Sequence, residues 1–171
     1  MRFVSRLIDV LGTYLCLDPQ RVYASGGSSG GSMAYRLACD LSNRIAAIGP
    51  VDGTYTYTRC APTHPVSLIA FHGTANDTVP YHGGGPYDTP DIPTWARRWA
   101  HRDGCIKGPT RFSQGPSFTA IRYTACRAGS EVQLYAMIGE GDQWPADSDL
   151  LNQTNNGSEL IWHFFAAHPR R

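Results

Sequence analysis

The chain has 171 residues, 42% hydrophobic and 17% charged, the balance of a single globular domain spanning 1–171. Fifteen basic against fourteen acidic residues leave a net charge of +1, which supplies no electrostatic basis for binding nucleic acid or an anionic membrane surface. No apolar run approaches the roughly 20 residues that a membrane span needs.

Phe3, Val4, Leu7, Ile8, Leu11, Tyr14 and Leu15 form an apolar stripe at helical spacing, and Asp18-Pro19 ends it. Met1-Arg2 lead straight into this helix, so the chain reads as starting inside a structural element and without a secretory leader. Arg21 to Ser25 is strand-like, and Met33, Ala34, Leu37 and Ala38 then recur at helical spacing. Ile45 to Val51 and Pro65 to Phe71 are short apolar runs suited to buried strands, the second ending at His72-Gly73. Pro90 to Gly104 predicts a helix with Ile92, Trp95, Ala96 and Trp99 on one side. Phe118 to Ala125 and Val132 to Ile138 predict two strands around an Arg127-Ala128-Gly129-Ser130 turn. Asn156-Gly157-Ser158-Glu159 opens a last helix carrying Leu160, Ile161, Phe164 and Phe165, stopped by Pro169. Alternating strands and helices predict an α/β domain, its mostly parallel sheet covered by helices on both faces.

Gly26-Gly27-Ser28-Ser29-Gly30 stands between the predicted strand and helix. This is the Gly-x-Ser-x-Gly arrangement of a nucleophile elbow, in which a sharp strand-to-helix turn pushes a serine hydroxyl outward. The glycines are expected to be needed because side chains would collide in so tight a turn. The competing reading is a flexible linker, since Gly26 to Ser32 holds only glycine and serine, but a linker would not be flanked so closely by both elements. No lysine follows the glycines, so a phosphate-binding loop is excluded. Cys16, Cys39, Cys60, Cys105 and Cys126 lack Cys-x-x-Cys spacing, so no metal site is expected; their pairing stays open on spacing alone.

Several segments in order carry a wider likeness. They are Asp18-Pro19-x-Arg21-Val22-Tyr23, the elbow, Met33 to Cys39, His72-Gly73-Thr74 through Val79-Pro80-Tyr81, and Gly104-Cys105. Cys126, Gly139-x-Gly141-x-x-Trp144-Pro145 and Trp162-x-Phe164-Phe165 complete the set. Together they resemble the polyhydroxybutyrate depolymerase and feruloyl esterase type of secreted serine esterases, within the α/β-hydrolase fold. The resemblance implies a partial hydrolase fold with its N-terminal strands missing, the chain forming roughly the C-terminal two-thirds of the whole. It implies carboxylic ester hydrolysis through an acyl-serine, no cofactor, a small or polymeric ester substrate, and an extracellular or periplasmic location. It also implies disulfides Cys105–Cys126 and Cys39–Cys60, each closing a loop worth about 3 kcal/mol in the chain-entropy model. Cys16 is then left over.

By the same resemblance Ser28 is the nucleophile and the Ser29 backbone N–H is one oxyanion donor. The second donor comes from a loop in the strands expected to be missing. The acid position falls on Asn76, with Asp77 beside it as a substitute or as a solvated turn residue. Asparagine can orient an imidazole but cannot stabilise its cation, and in a serine-protease triad that exchange costs about 10⁴ in rate. Where Gly-Gly-Gly-His-x-Trp-Pro is expected, the chain has Gly139-Glu140-Gly141-Asp142-Gln143-Trp144-Pro145, so Asp142 occupies the histidine position. A carboxylate of ordinary basicity takes a serine proton poorly, and losing the triad histidine of subtilisin costs on the order of 10⁶ in turnover. An impaired esterase is therefore expected, with a non-catalytic relative that binds an ester or glycan, or a gene fragment, as alternatives. His72 ends a strand close to the proposed site and His82 lies in the glycine-rich loop after it. One of them could approach Ser28, but a structural role is expected for both, while His163 and His168 read as surface or packing residues. Trp144 and Tyr81 are the candidate substrate-binding aromatics; Trp95, Trp99 and Trp162 fall at core spacing, and Tyr55 and Tyr57 could face solvent or ligand. Asn76, Asn152 and Asn156 begin glycosylation sequons.

Overall fold

The computed structural model describes residues 1–54, 60–145 and 156–171. In chain order the elements are α1 (Arg2–Tyr14), β1 (Tyr23–Gly27), α2 (Ser29–Asp40), β2 (Ala47–Val51), β3 (Ser67–Gly73) and α3 (Ile92–Arg102). They continue with β4 (Lys107–Gln114), β5 (Phe118–Thr124), β6 (Val132–Met137) and α4 (Gly157–Ala167). The strands form one sheet in the order β1-β2-β3-β6-β5-β4. Neighbours from β1 to β6 run parallel, whereas β5 and β4 add antiparallel at the far side. The sheet is thus mixed and largely parallel, in an α/β fold.

β4 was not expected from the sequence. Lys107 to Gln114 has no apolar alternation, contains Pro109, and is exposed except around Phe112 and Ser113. Those are features of an outer strand, where charge and proline are tolerated because one edge needs no partner. Its pairing comes from β5, after a turn in which Gly115 N–H donates to the Phe118 carbonyl at 2.9 Å.

Alternation along the strands divides the core between the two faces of the sheet. Ile48, Leu68, Ala70, Val132 and Leu134 meet Ala34, Leu37 and Ala38 of α2 and Trp95, Ala96 and Trp99 of α3. Ala47, Val51, Ile69, Phe71, Phe118 and Tyr135 face the other way, against Ile161, Phe164 and Phe165 of α4. Each Val, Leu, Ile or Phe among them, fully buried, contributes about 1.5–3 kcal/mol, and each alanine methyl about 0.8 kcal/mol. Tyr35 lies edge-on to Trp95, and the Trp99 indole N–H donates to the Val66 carbonyl at 2.8 Å, so burial leaves that donor satisfied. Trp162 departs from expectation: it is 61% exposed, because the Ile161, Phe164 and Phe165 side of α4 takes the sheet contact.

Two disulfides close, Cys39–Cys60 and Cys105–Cys126, each across a sequence separation of 21. The first ties the end of α2 to the segment before β3, and the second ties the chain after α3 to the end of β5. Cys16 is free and exposed. β1 stands at the edge of the sheet. α1 contains no buried residue; Val4 packs against the α2–α3 core while Phe3 and Tyr14 stay exposed.

Candidate active site

β1 ends in a turn that no ordinary serine conformation makes. Ser28 has φ 50° and ψ −115°, and α2 begins at the next residue. A non-glycine residue held there is strained and persists only where its surroundings hold it. Here Ser28 N–H donates to the Val51 carbonyl at 2.8 Å, and the Ser28 carbonyl accepts the first-turn bond from Ser32 N–H at 3.0 Å. The glycine requirement is uneven. A Cβ on Gly26 would lie 2.7 Å from the Gly30 carbonyl carbon, and one on Gly31 would lie 2.9 Å from the Val51 oxygen. A Cβ on Gly30 would meet nothing within 4 Å, so Gly30 is not sterically obligatory, contrary to the reading from the motif. Gly53 supplies the facing gap, since its Cβ would come 2.5 Å from the Gly31 carbonyl carbon.

The loop after β6 is clamped onto the end of β3. Thr74 N–H donates to the Met137 carbonyl at 2.8 Å and Ala75 N–H to the Glu140 carbonyl at 2.8 Å. Gly73 leaves room for this approach, as a Cβ there would sit 2.3 Å from both the Glu140 and Gly141 oxygens. The clamp carries Asp142 to the elbow, where Ser28 Oγ donates to Asp142 Oδ2 at 2.9 Å. Asp142 is exposed and Ser28 half-buried. Ser29, opening α2, presents its N–H at the positive end of the helix dipole.

The acid-position residues lie apart from this pair. Asn76 is buried; its Oδ1 accepts from the N–H of Thr78 at 3.0 Å and of Val79 at 2.8 Å, and its Nδ2 donates to Asp52 Oδ1 at 3.1 Å. Asp77 is exposed and accepts from the Thr78 hydroxyl at 3.3 Å, on the outside of the same turn. His72 is buried, and its Nε2–H donates to the Val79 carbonyl at 2.8 Å, which occupies that nitrogen. Burial dominates its ionisation and lowers its pKa, against the Val79 carbonyl and the Asp52 and Asp142 charges. His82 is exposed, 4.0 Å from Asp91. Asp52, which the motifs did not single out, is buried directly after β2; burial raises its pKa against the Gly73 N–H, His72, Asn76 and the Gln143 N–H. Its only sequence signal was a charged residue closing an apolar strand before Gly53.

A cleft of about 350 Å³ opens over the serine, lined by Ser28, Ser29, Thr54, Val79, Tyr87 and Thr89. Trp144 stands beside it: its ring edge would lie 3.8 Å from a Cβ on Gly27, and its indole N–H donates to Ser158 Oγ at 3.0 Å. Tyr81 turns toward the core against His72, with ring centroids 6.1 Å apart, and burial pushes its pKa up to about 12. Among the described residues the tyrosine on the cleft wall is Tyr87, in the loop before α3. Tyr55, Tyr57 and Asn152 lie outside the described residues.

No family model matches the chain. The bifunctional acetylxylan esterase/xylanase XynS20E of Neocallimastix patriciarum is 34% identical over 170 residues, covering 95% of this chain and 22% of that protein. Feruloyl esterase B of Piromyces equi is 29% identical over 157 residues, covering 82% of this chain and 28% of that protein. Feruloyl esterase D of Neurospora crassa is 25% identical over 166 residues, covering 96% and 54%. The chain therefore spans about half, or less, of the length of these curated relatives. Among solved structures, the acetyl xylan esterase from Aspergillus awamori aligns with a TM-score of 0.68 at 14% identity, covering 96% of this chain and 66% of that one. The two share a fold. In sequence, the similarity is to esterases.

Proposed function

We propose that the chain is the serine-bearing part of a carboxylic ester hydrolase of the feruloyl and acetylxylan esterase kind, with Ser28 as nucleophile and Asp142 in the place of the base. The observation that carries this is the strained Ser28, held between β1 and α2 at a cleft and donating its hydroxyl to Asp142. Ser28 Oγ attacks the ester carbonyl carbon while its proton passes to Asp142. The carbonyl oxygen becomes an oxyanion facing the Ser29 N–H. Collapse breaks the bond to the alcohol oxygen, which takes the proton back from Asp142. Water then attacks the acyl-serine, releasing the acid and restoring Ser28. A carboxylate base makes each proton transfer less favourable than an imidazole would, so turnover is impaired. Trp144 and Tyr87 offer surface for an aromatic acyl group, and the Thr54 and Thr89 hydroxyls suit a sugar alcohol. Two disulfides support an extracellular location.

The test is hydrolysis of p-nitrophenyl acetate and methyl ferulate by the purified chain against Ser28→Ala, with a polyhydroxybutyrate film as the polyester arm. Serine-dependent turnover is expected, persisting below the histidine range near pH 6.5 because no imidazole titrates in the mechanism. Equal rates for both proteins would overturn the catalytic reading. The second reading, a non-catalytic binder of esters or glycans, is favoured by Asn76 turned onto Asp52 and by the carboxylate at position 142. It requires Ser28→Ala to leave ligand binding intact.

A further inference from the structure

Directly after β2 stands a buried carboxylate belonging neither to the serine turn nor to the loop after β6. Asp52 follows β2 at φ 51°, in the left-handed region, with 2% of its surface exposed. Its Oδ1 accepts from Gly73 N–H at 2.8 Å and from Asn76 Nδ2 at 3.1 Å, and lies 3.9 Å from His72 Nε2. Its Oδ2 accepts from Gln143 N–H at 3.1 Å, the peptide immediately after Asp142. One side chain thus joins the ends of β2 and β3 to the loop that reaches Ser28.

We propose that Asp52 is the positioning carboxylate of this site, standing in for the acid expected at position 76 and holding residue 142 against Ser28. Asn76 cannot do this itself. Its oxygen is already engaged by the Thr78 and Val79 N–H groups, and only its N–H donors remain, directed at Asp52. An aspartate in its place would set two carboxylate oxygens at this spacing, and like charges so close cannot both ionise. Positions 52 and 76 therefore hold one acid and one amide between them. The chain carries the acid at 52, and Asp77 is turned outward. Asp52 acts through the backbone of the 142–143 segment and does not touch the reacting atoms, so its role is positioning. The proposal rests on the hydrolase reading, but its test needs no turnover.

The experiment places an imidazole at position 142 with Asp142→His and follows its ionisation by proton NMR. His72, 3.9 Å from Asp52, faces the same position and itself responds to the Asp52 charge, so its resonances are assigned and followed separately in each protein. Three proteins are compared: Asp142→His; Asp142→His/Asp52→Asn; and Asp142→His/Asp52→Asn/Asn76→Asp, which exchanges the acid and the amide. Removing the Asp52 charge is expected to lower the introduced imidazole's pKa by about one unit or more, and the exchange to restore it. An imidazole that titrates alike with and without Asp52, or an exchange that folds without restoring the pKa, would overturn the proposal. Should Asp52→Asn fail to fold, the exchange protein decides, because it keeps one acid and one amide in contact. Its own failure to fold would also overturn the proposal, since the pair would then serve packing. Absence of Ser28-dependent hydrolysis with the titration pattern intact would count against the hydrolase reading alone.

Discussion

The two glycines of Gly-x-Ser-x-Gly look equivalent as a motif, yet the structure makes them unequal, and replacing each by alanine separates them. A Cβ on Gly26 would stand 2.7, 2.9 and 3.0 Å from the carbonyl carbon, Cα and oxygen of Gly30, all backbone atoms at the start of α2. Ordinary van der Waals contact begins near 3.4 Å, so β1 and α2 must separate by roughly 0.7 Å for Gly26→Ala to fit. Overpacking of this kind costs about 1–3 kcal/mol. It also falls on both flanks of Ser28, whose φ of 50° depends on that contact staying closed. A Cβ on Gly30 would meet nothing within 4 Å, and the residue lies inside the first turn of α2. Gly30→Ala should therefore be neutral or stabilise by up to about 1 kcal/mol, through the helix preference of alanine over glycine. The assay is urea denaturation of the two variants beside the parent, with labelling of Ser28 by a fluorophosphonate as the reading of elbow geometry. Gly26→Ala should lower the denaturation midpoint and slow labelling, while Gly30→Ala does neither. Equal losses, or a tolerated Gly26→Ala beside a damaging Gly30→Ala, would refute the steric account.

Two other predictions concern stability. Asp103, at the end of α3, is fully buried, and burial raises its pKa to about 7 despite the Val66 N–H, Arg127 and Arg102. An acid whose folded pKa is raised contributes most at low pH and is penalised as pH rises through 7. Relative to Asp103→Asn, the parent should lose on the order of 4 kcal/mol between pH 4 and pH 8; parallel stability profiles would refute it. Trp99→Ala should cost about 3–5 kcal/mol and Trp162→Ala within about 0.5 kcal/mol, since only the first removes a buried ring. Comparable thermal shifts would contradict that division.

The elements were legible where neighbours in sequence carry the pattern. The stripe Ile92, Trp95, Ala96 and Trp99 predicted a helix, and Ile92–Arg102 forms it on the α2 side of the sheet. β4 was not legible, because an outer strand of exposed residues has no apolar period and takes its conformation from β5. Trp162 misled for a related reason. Helical spacing tells which residues share a face but not which face meets the sheet, and in α4 that face is Ile161, Phe164 and Phe165.

At the site, the residue order around Ser28 was enough to predict a strained serine turn, because strand, glycines and helix all act within a few residues of one another. The amide at position 76 and the carboxylate at position 142 were also visible in the sequence. What each side chain touches was not. The bond from Ser28 to Asp142 joins residues 114 apart, and Asp52 meets Gln143 across 91. Such contacts exist because parallel β1, β2, β3 and β6 bring their carboxyl ends to one side of the sheet, where loops distant in sequence converge. Local preference determined that a strained serine turn stands here, whereas the register of the sheet decided which carboxylates surround it.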